Sequence, residues 1–473
     1  MSELTDLDAL DLSAAMAAGR ISAVEVMAAY LDHIERLNPS LNAIVSLRPR
    51  GALEAEARAA DAAPRRGWLH GMPFAVKDLV DTAGLRTTYG SPLYADHVPE
   101  KDELIAARIR AAGAIFIGKT NTPEFGLGSH SYNPVHGVTR NPYDLSRTAG
   151  GSSGGAAAGL AARLLPVADG SDTMGSLRNP AAFCNVYGFR PSFGLVPRDA
   201  VGDLFLHQIS TDGPMARSVR DLVALLGTLA GPDARDPHAL PAMPGALAAL
   251  ERPLSDGLKV GWIGAWQGYY PLEPGILDLC EAGLGVLESL GLRVEPLAPA
   301  FDPDRLWRAW LVLRSFANAA GKRDLYDDPE KRSHLKPELL YEVESASRLG
   351  ALDIHAASVV RTEWFAFLAN LFERYDVLAM PSAQLFPFDA KLDWPKAVAG
   401  RPMDTYHRWM EVVVPASLAG LPVLGVPVGF SDDGLPMGMQ LMGRRGGDQD
   451  VLRIGEAYHR QTDWPGRRPP PLL

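Results

Sequence analysis

Cysteine is nearly absent from this sequence, which contains only Cys184 and Cys280 among its 473 residues. Two cysteines outside a Cys-x-x-Cys spacing exclude a disulfide framework and a thiolate zinc site, and they favour a reducing compartment. The eleven histidines are scattered and form no His-x-x-x-His pair that a helix could present to zinc. We therefore predict no metal and no cofactor.

Long apolar runs and an excess of positive charge are also missing. No run of about 18 apolar residues predicts a membrane span. The acidic N-terminus, MSELTDLDALDLSAAMAAGR, has neither the basic nor the apolar region of a signal peptide. The formal net charge of −10 argues against nucleic-acid binding, which needs a positive surface. We expect a cytoplasmic protein without nucleic-acid or membrane partners, and a homodimer is left open.

The N-terminal region, residues 1–65, carries apolar residues at helical spacing. Ser22 followed by Glu25 resembles a capping box, in which the serine side chain and the glutamate side chain each satisfy a backbone N–H. We expect this region to form helices that pack on the core of the protein.

The rest of the chain alternates between strand and helix patterns and shows no convincing linker. Strands and helices alternate over 67–220, the segment 257–375 is mostly helical after an initial strand pattern, and strands return over 376–445. This alternation predicts an α/β protein. We predict that 1–473 form one domain, with the helical segment as an elaboration.

Two short motifs match known patterns but lack the structural context that those patterns need. Residues 113–120, GAIFIGKT, fit the phosphate-loop expression, yet AIFI is itself the predicted strand, and no helix pattern follows the lysine to present N–H groups to a phosphate. Ser333 and Lys336 have the Ser-x-x-Lys spacing of penicillin-binding enzymes, but the companion motifs are missing. Neither motif predicts a site.

The segment GGSSGG around Ser152 offers a stronger candidate. Its Gly-x-Ser-x-Gly spacing is that of a nucleophile elbow, which requires a later acid and histidine, such as Asp203 and His407. The same composition is also typical of a flexible turn. On this segment alone, both interpretations stay open.

The continuation of this loop, and several other segments, resemble the amidase signature family. The loop runs on as GGSSGGAAAGLAARLLPVADGSDTMGSLRNPAAFCNVYGFRPSFGLVP. Further family-like segments, in family order, are GMPFAVKD, GKTNTPEFG, STDGPMARSVRDL and SLAGLPVLGVPVGFSDDGLPMGMQLMG. They cover most of 67–220 and 376–445. The resemblance implies one large domain with a mixed, twisted β-sheet covered by helices on both faces.

The resemblance implies a Ser–cis-Ser–Lys triad of Lys77, Ser152 and Ser176, with Ser176 as the nucleophile. A serine hydroxyl needs a base to take its proton. A lysine can be that base only when it is neutral, so burial after the apolar FAV must lower its pKa from about 10.4. The hydroxyl of Ser152 accepts and donates at once and can relay a proton between the other two.

The oxyanion of an acyl-transfer intermediate needs backbone donors. The candidates are the N–H groups of Thr173, Met174, Gly175 and Ser176. Here the sequence departs from the commoner family pattern, because Met174 stands where that pattern has glycine. The N–H is retained, whereas a positive φ is disfavoured at a methionine, and the Met174 side chain is expected to line or narrow the acyl pocket.

Three residues are predicted to orient the triad: Ser153, Asp172 and Arg178. For each, simple loop hydrogen bonding is the alternative role. Arg178 could also pair with a substrate carboxylate, although we favour a role in holding neighbouring loops.

The substrate is expected to be a small-molecule amide, attacked with water as the second reactant, and the acyl group is expected to be apolar or aromatic. The proposed pocket residues are Phe125, Gly126, Leu127, Phe205, His207 and Trp409. The resemblance also implies alternatives, namely a carbamate or ester hydrolase and a glutamine-hydrolysing amidotransferase subunit. The latter needs an acidic residue about eight positions before Leu-Ala-Gly-Leu-Pro, where this chain has Met410, with Glu411 beside it. An inactive scaffold is the non-enzymatic alternative.

Overall fold

Helices and strands alternate along residues 4–473, the part of the chain that the computed structural model describes. The strands are β1 (Ile44–Val45), β2 (Pro73–Lys77), β3 (Ile115–Thr120), β4 (Tyr132–Asn133), β5 (Gly137–Val138), β6 (Ala168–Asp172), β7 (Tyr187–Arg190), β8 (Thr211–Ala216), β9 (Lys259–Trp262), β10 (Arg293–Pro296), β11 (Val377–Pro381), β12 (Ala397–Val398), β13 (Arg401–Pro402), β14 (Val423–Phe430) and β15 (Pro436–Gly443). The α-helices are α1 (Ala9–Ala17), α2 (Ala23–Leu41), α3 (Arg50–Ala62), α4 (Leu104–Ala111), α5 (Gly154–Ala161), α6 (Arg178–Cys184), α7 (Val219–Leu229), α8 (Ala246–Ala249), α9 (Ile276–Ser289), α10 (Pro303–Ala320), α11 (Arg323–Asp327), α12 (Pro329–Arg332), α13 (Pro337–Ala346), α14 (Ala351–Leu371), α15 (Val414–Ala419), α16 (Asp448–Thr462) and α17 (Trp464–Arg467).

The predicted capping box at the start of α2 is confirmed. The Ser22 side chain accepts a hydrogen bond from the Glu25 N–H, and the Glu25 carboxylate accepts one from the Ser22 N–H at 2.7 Å. Both orphan donors at this helix end are therefore satisfied. Helices α1, α2 and α3 form the expected N-terminal helical region, which also contributes the short strand β1.

The main sheet has eight strands in the order β10-β9-β11-β15-β14-β7-β8-β6. The strands β10, β9 and β11 are parallel to one another, and every other neighbouring pair is antiparallel. Helices α6, α9 and α16 pack against β14 and β15. The protein is thus a single α/β domain with a mixed sheet flanked by helices, as predicted.

A second, smaller sheet lies beside the edge strand β6. Its order is β1-β3-β2, with β2 parallel and β1 antiparallel to β3. The strand β2, which ends at Lys77, is buried at all five positions. The prediction of one mixed sheet did not foresee that β2 belongs to a separate sheet.

The segment 257–375 contributes both strands and helices to the domain. Its strands β9 and β10 form one edge of the main sheet, whereas α10, α13 and α14 pack on one another. A small apolar cluster joins α13 to the loop after β3: it contains Leu335, Leu339 and Val343, together with Leu127 and Phe125. The helical segment therefore covers the loop in which we predicted pocket residues. Among residues 4–473, no helix combines the length and apolarity that a bilayer crossing requires.

Candidate active site

The Lys77 side chain lies at the end of β2 and is completely buried. Its Nζ donates to Ser152 Oγ and Ser153 Oγ, both at 2.8 Å, and to Ser171 Oγ at 3.0 Å. No carboxylate of residues 4–473 lies within ion-pair distance of this ammonium group. The lysine is therefore surrounded by hydroxyl groups. They can exchange protons with the lysine, but they carry no charge that could balance its ammonium group.

Burial determines the protonation of Lys77. It lowers the pKa of Lys77 to about 8, although the charges of Asp169, Asp212 and Asp172 act in the opposite direction. Desolvation disfavours the charged ammonium, and the three carboxylates offset only part of that cost. A substantial fraction of neutral amine is consequently present at mildly alkaline pH.

Glycines shape the turn that presents Ser152. Gly150 has φ +77°, and the Gly151–Ser152 peptide bond is cis. A Cβ atom at Gly151 would lie 2.9 Å from the backbone nitrogen of His130, so only glycine fits there. The Gly151 carbonyl accepts from Ser129 Oγ at 2.6 Å. Helix α5 begins directly after Ser153 and holds the turn from the other side.

The carboxylate of Asp172 organises the second serine turn. It accepts hydrogen bonds from the Gly175 N–H at 2.9 Å and the Leu177 N–H at 3.2 Å. It also pairs with the buried guanidinium groups of Arg178, at 2.9 Å, and Arg190, at 3.1 Å. Burial by itself raises the pKa of Asp172, but the two guanidiniums and the N–H donors outweigh it and hold that pKa well below its usual range. The carboxylate stays ionised and fixes the turn that carries Ser176.

Arg178 is held entirely by protein groups. Besides Asp172, it donates to the Val413 carbonyl, Gln440 Oε1 and Ser417 Oγ, at 2.8–3.0 Å. Its side chain has no exposed surface. The contacts agree with the role of holding neighbouring loops and leave no donor face open to a substrate carboxylate. Arg190, which sequence reasoning missed, is equally buried and shares the Asp172 carboxylate.

One of the four predicted oxyanion donors, the N–H of Gly175, already has an acceptor in the structure. The Gly175 N–H is engaged by Asp172, so it is not available to an oxyanion. Gly175 has φ +81° and makes the turn possible, whereas Met174 has no positive φ and is buried. Within residues 4–473, the N–H groups of Thr173, Met174 and Ser176 have no acceptor, and they remain the candidate donors.

Three of the predicted pocket residues lie together beside Ser152. A Cβ atom at Gly126, which has φ +71°, would lie 3.6 Å from Ser152 Oγ. Its neighbours Phe125 and Leu127 belong to the apolar cluster with α13. Another predicted pocket residue, His207, packs its ring on Phe316 of α10, with a centroid distance of 4.9 Å. These residues border the helical segment.

Phe205 and Trp409 do not fit the predicted pocket. The side chain of Phe205 is 67% exposed, on the loop before β8, so it forms no wall. Trp409 is 1% exposed, donates its indole N–H to the Tyr406 carbonyl at 3.0 Å and packs edge-on against Phe388. It lines only a narrow cavity shared with Leu127, which has room for about one water molecule. Sequence position does not distinguish a core tryptophan from one in a pocket.

The nucleophile-elbow alternative is not supported by the geometry. His407 is completely buried, and both its ring nitrogens lack a hydrogen-bond partner. Burial, reinforced by Arg314 and Arg408, holds the pKa of His407 well below its usual value, so the ring is neutral. Asp203 lies 3.8 Å from His207 instead of beside His407. In the described part of the chain, no histidine hydrogen-bonds to Ser152 or Ser176.

The two other motifs also lack a site. Lys119 is buried within β3 and donates to the Val80 carbonyl at 2.5 Å and to Thr82 Oγ1 at 2.9 Å. No α-helix follows it directly, because the next α-helix is α5. Ser333 Oγ donates to the Glu330 carbonyl and not to Lys336. Both motifs are matches of spacing only.

Asp169 is a site residue that sequence reasoning missed. Its carboxylate accepts from the backbone N–H of Lys77, at 3.1 and 3.3 Å, and so connects β2 with the edge strand β6 of the main sheet. Burial raises the pKa of Asp169 to about 6, against the opposing effects of the Lys77 N–H, Lys119 and Lys77. The only feature of the sequence that could have indicated this role is the aspartate within the predicted strand of VADGS, where an apolar residue is the usual occupant of a buried position.

Comparisons with known proteins agree with this architecture. The family model named Amidase matches residues 25–452. The chain is 32% identical to an acylamidase of Rhodococcus erythropolis, covering 98% of this chain and 97% of the relative. It is 37% identical to a glutamyl-tRNA(Gln) amidotransferase subunit from Thermus thermophilus, over 96% of each chain. The chain therefore belongs to the amidase family and is an amidase signature enzyme that hydrolyses amides.

Solved structures give the same fold. A bacterial aryl acylamidase of the amidase signature enzymes superposes with a TM-score of 0.90 at 29% identity, covering 98% of this chain and 99% of that chain. The peptide amidase of Stenotrophomonas maltophilia superposes with a TM-score of 0.79 at 29% identity, covering 98% of each chain. The resemblance stated from sequence is confirmed along the whole domain.

Proposed function

We propose that this protein hydrolyses a linear carboxylic amide through an acyl-enzyme on Ser176, with Ser152 and Lys77 as a proton relay. The observation that carries the proposal is the buried Lys77 Nζ, 2.8 Å from Ser152 Oγ and 3.0 Å from Ser171 Oγ. Ser171 lies in β6, the strand that leads into the turn where, among residues 4–473, the N–H groups of Thr173, Met174 and Ser176 have no acceptor. A base with a pKa near the working pH is what nucleophile activation requires.

The reaction follows from these groups. Neutral Lys77 takes the proton of Ser152 as Ser152 takes that of Ser176, and the Ser176 oxygen attacks the amide carbon. The oxyanion accepts from the free N–H groups of the turn. The relay then returns the proton to the departing amine. Water, activated by the same relay, cleaves the acyl ester and restores Ser176, so no cofactor is consumed.

A stand-alone amidase is favoured over an amidotransferase subunit, although relatives of both kinds exist. Met410 is apolar and buried. Its neighbour Glu411 is already engaged by Arg408, at 2.7 Å, and by the Tyr269 hydroxyl, at 2.8 Å. Neither residue is free to bind the amino group of glutamine. The same acyl-enzyme route would also open esters and carbamates, and a panel of matched amides, esters and carbamates ranks these substrates.

Labelling identifies the nucleophile. A fluorophosphonate probe is expected to modify Ser176 and not Ser152, because Ser176 follows the free N–H groups that would hold the phosphonate oxygen. Peptide mass spectrometry of the labelled protein locates the adduct, with Ser176→Ala as the matched unlabelled control. An adduct on the Ser152 peptide that persists in Ser176→Ala would favour the elbow alternative, and a wild type that resists labelling would favour an inactive scaffold.

Histidine substitutions are expected to leave catalysis almost unchanged. His207→Asn and His407→Gln should retain kcat within about tenfold, whereas loss of a catalytic histidine costs several orders of magnitude. Steady-state kinetics on protein shown to be folded by circular dichroism measure this, and His238→Asn serves as a control outside the predicted site. A collapse of kcat in either folded variant would overturn the lysine-based mechanism. Chelators should leave activity unchanged.

A further inference from the structure

The base and the nucleophile of the proposed reaction belong to two different sheets. Lys77 ends β2, an edge strand of the three-stranded sheet, and Ser176 follows β6, an edge strand of the eight-stranded sheet. No backbone ladder joins these two edges. Among residues 4–473, every hydrogen bond between β2 and β6 comes from Lys77. Its backbone N–H donates to the Asp169 carboxylate, at 3.1 and 3.3 Å, and its Nζ donates to Ser171 Oγ at 3.0 Å.

These two contacts fix the direction of the Lys77 side chain. Asp169 and Ser171 lie on the same face of β6, because alternate residues of a strand point to the same side. They are roughly 7 Å apart along the strand. The Lys77 side chain therefore runs along this face, with the carboxylate at its backbone end and the serine hydroxyl at its amine end.

The carboxylate of Asp169 is buried and has few partners. The Lys77 N–H is its one hydrogen-bond donor among residues 4–473, and no cationic group of these residues lies within ion-pair distance of it. An ionised carboxylate can accept about four hydrogen bonds. A neutral amide would accept the same N–H at a lower desolvation cost. The backbone contact alone therefore does not explain why an ionisable residue stands here.

The charge of Asp169 acts on the amine of Lys77. Burial lowers the pKa of Lys77 to about 8, and Asp169 is the largest of three opposing charges, ahead of Asp212 in β8 and Asp172 in β6. Burial raises the pKa of Asp169 to about 6, which Lys119 of β3 and Lys77 itself oppose and Asp212 reinforces. The carboxylate is thus ionised over the pH range in which Lys77 loses its proton. Without that charge, Lys77 would lose its proton at lower pH.

We propose that Asp169 is a positioning residue of the reaction, which holds the end of β2 on β6 so that the Lys77 amine meets the serine hydroxyls. This inference rests on the proposed function for the role of Lys77 as the base. The carboxylate acts at both ends of the lysine. It accepts the backbone N–H directly, and its charge favours the ammonium that forms when Lys77 takes the serine proton.

Two substitutions separate the contact from the charge. Asp169→Asn keeps an acceptor for the Lys77 N–H but removes the charge, so the midpoint of the kcat/KM profile should move to lower pH by about one unit or more. Asp169→Ala removes both, so the end of β2 is released. Its alkaline plateau should be at least about tenfold below that of Asp169→Asn, because small displacements of catalytic groups are costly.

A second buried aspartate provides the matched control. Asp221 in α7 accepts the backbone N–H groups of Ala9 and Leu10, at 2.7 and 2.9 Å, and is as buried as Asp169. It is not among the charges that act on Lys77. Asp221→Asn should keep the parental pH midpoint, whatever it does to stability. Circular dichroism checks the fold of each variant, and Asp169→Ser, a smaller neutral acceptor, replaces Asp169→Asn if the latter is unfolded.

A titration without turnover separates this inference from the proposed function. In protein labelled with carbon-13 at lysine Cε, NMR follows the loss of the Lys77 proton, and Lys77→Met identifies its resonance. If the NMR midpoint moves in Asp169→Asn but the activity profile does not follow, Lys77 is not the base, and the proposed mechanism fails while the link between Asp169 and Lys77 stands. The inference is wrong if Lys77 titrates in Asp169→Asn as in the parent, or if Asp169→Ala keeps the plateau of Asp169→Asn.

Discussion

Replacing Lys77 with alanine is expected to abolish most amide hydrolysis, by about a thousandfold or more, because the relay loses its base and its proton donor. An amine leaves only when it is protonated, so amides should suffer most. Ester hydrolysis should fall less, because an alkoxide or phenoxide leaves more readily. Lys77→Arg should not restore activity, since a guanidinium stays charged and cannot act as a base. Steady-state kinetics with a matched amide and ester measure the difference.

The pH profile of the wild type provides the second arm of this experiment. The pKa of Lys77 is lowered to about 8, and the active form is the neutral amine. Activity as kcat/KM should therefore rise with pH through about 8 and then level off. Lys391→Ala, at an exposed lysine, should keep the parent profile. Amide turnover of Lys77→Ala within tenfold of the parent would refute the mechanism, whatever the family membership.

The second large effect is expected at Asp172. Its carboxylate pairs with two buried guanidiniums, those of Arg178 and Arg190, so the cluster already carries one excess positive charge. Asp172→Asn leaves both charges buried without a counter-ion, and breaking such a pair costs about 3–5 kcal/mol. The variant should unfold at much lower denaturant concentration. It should also lose activity, because the turn that carries Ser176 is no longer held.

Chemical denaturation measures the expected loss of stability, and kinetics at low temperature measure the expected loss of activity. Glu295→Gln is the matched control: it breaks the Lys259–Glu295 pair, which is about 40% exposed on both sides. Water already screens that pair, so little change in stability is expected. A free energy of unfolding of Asp172→Asn within about 1 kcal/mol of wild type would contradict the role that we assign to the buried cluster.

Much of the candidate site could be predicted from local sequence. Lys77 follows an apolar strand, Ser152 lies between glycines, and Ser176 lies in a second serine turn, and each of these is a short-range pattern. The family segments then ordered the three along the chain and implied their association. The capping box at Ser22 was predictable for the same reason, since both of its hydrogen bonds join residues three positions apart.

The contacts around these residues depend on how distant strands and loops meet. The sequence alone placed Asp172 near Ser176, but Arg190 joins it only because β7 and β6 both pair with β8. Similarly, Phe205 and Trp409 are aromatic residues near family motifs, and only packing placed one in solvent and the other in the core. Hydrophobicity does not specify which apolar surface a side chain meets.

The sequence by itself determined the α/β class, the family and the identity of the three candidate catalytic residues, because local patterns and ordered motifs carry that information. Only the tertiary structure decided that β2 stands in a separate sheet, linked to β6 through Asp169. It also decided that Lys77 Nζ reaches three hydroxyls, with no carboxylate of residues 4–473 within ion-pair distance. It alone brought Lys322, which follows α10, beside the ring of Phe125. Burial and pKa follow from residues that are far apart along the chain, such as Arg178 and Gln440, which are 262 positions apart, and no local pattern encodes their contact.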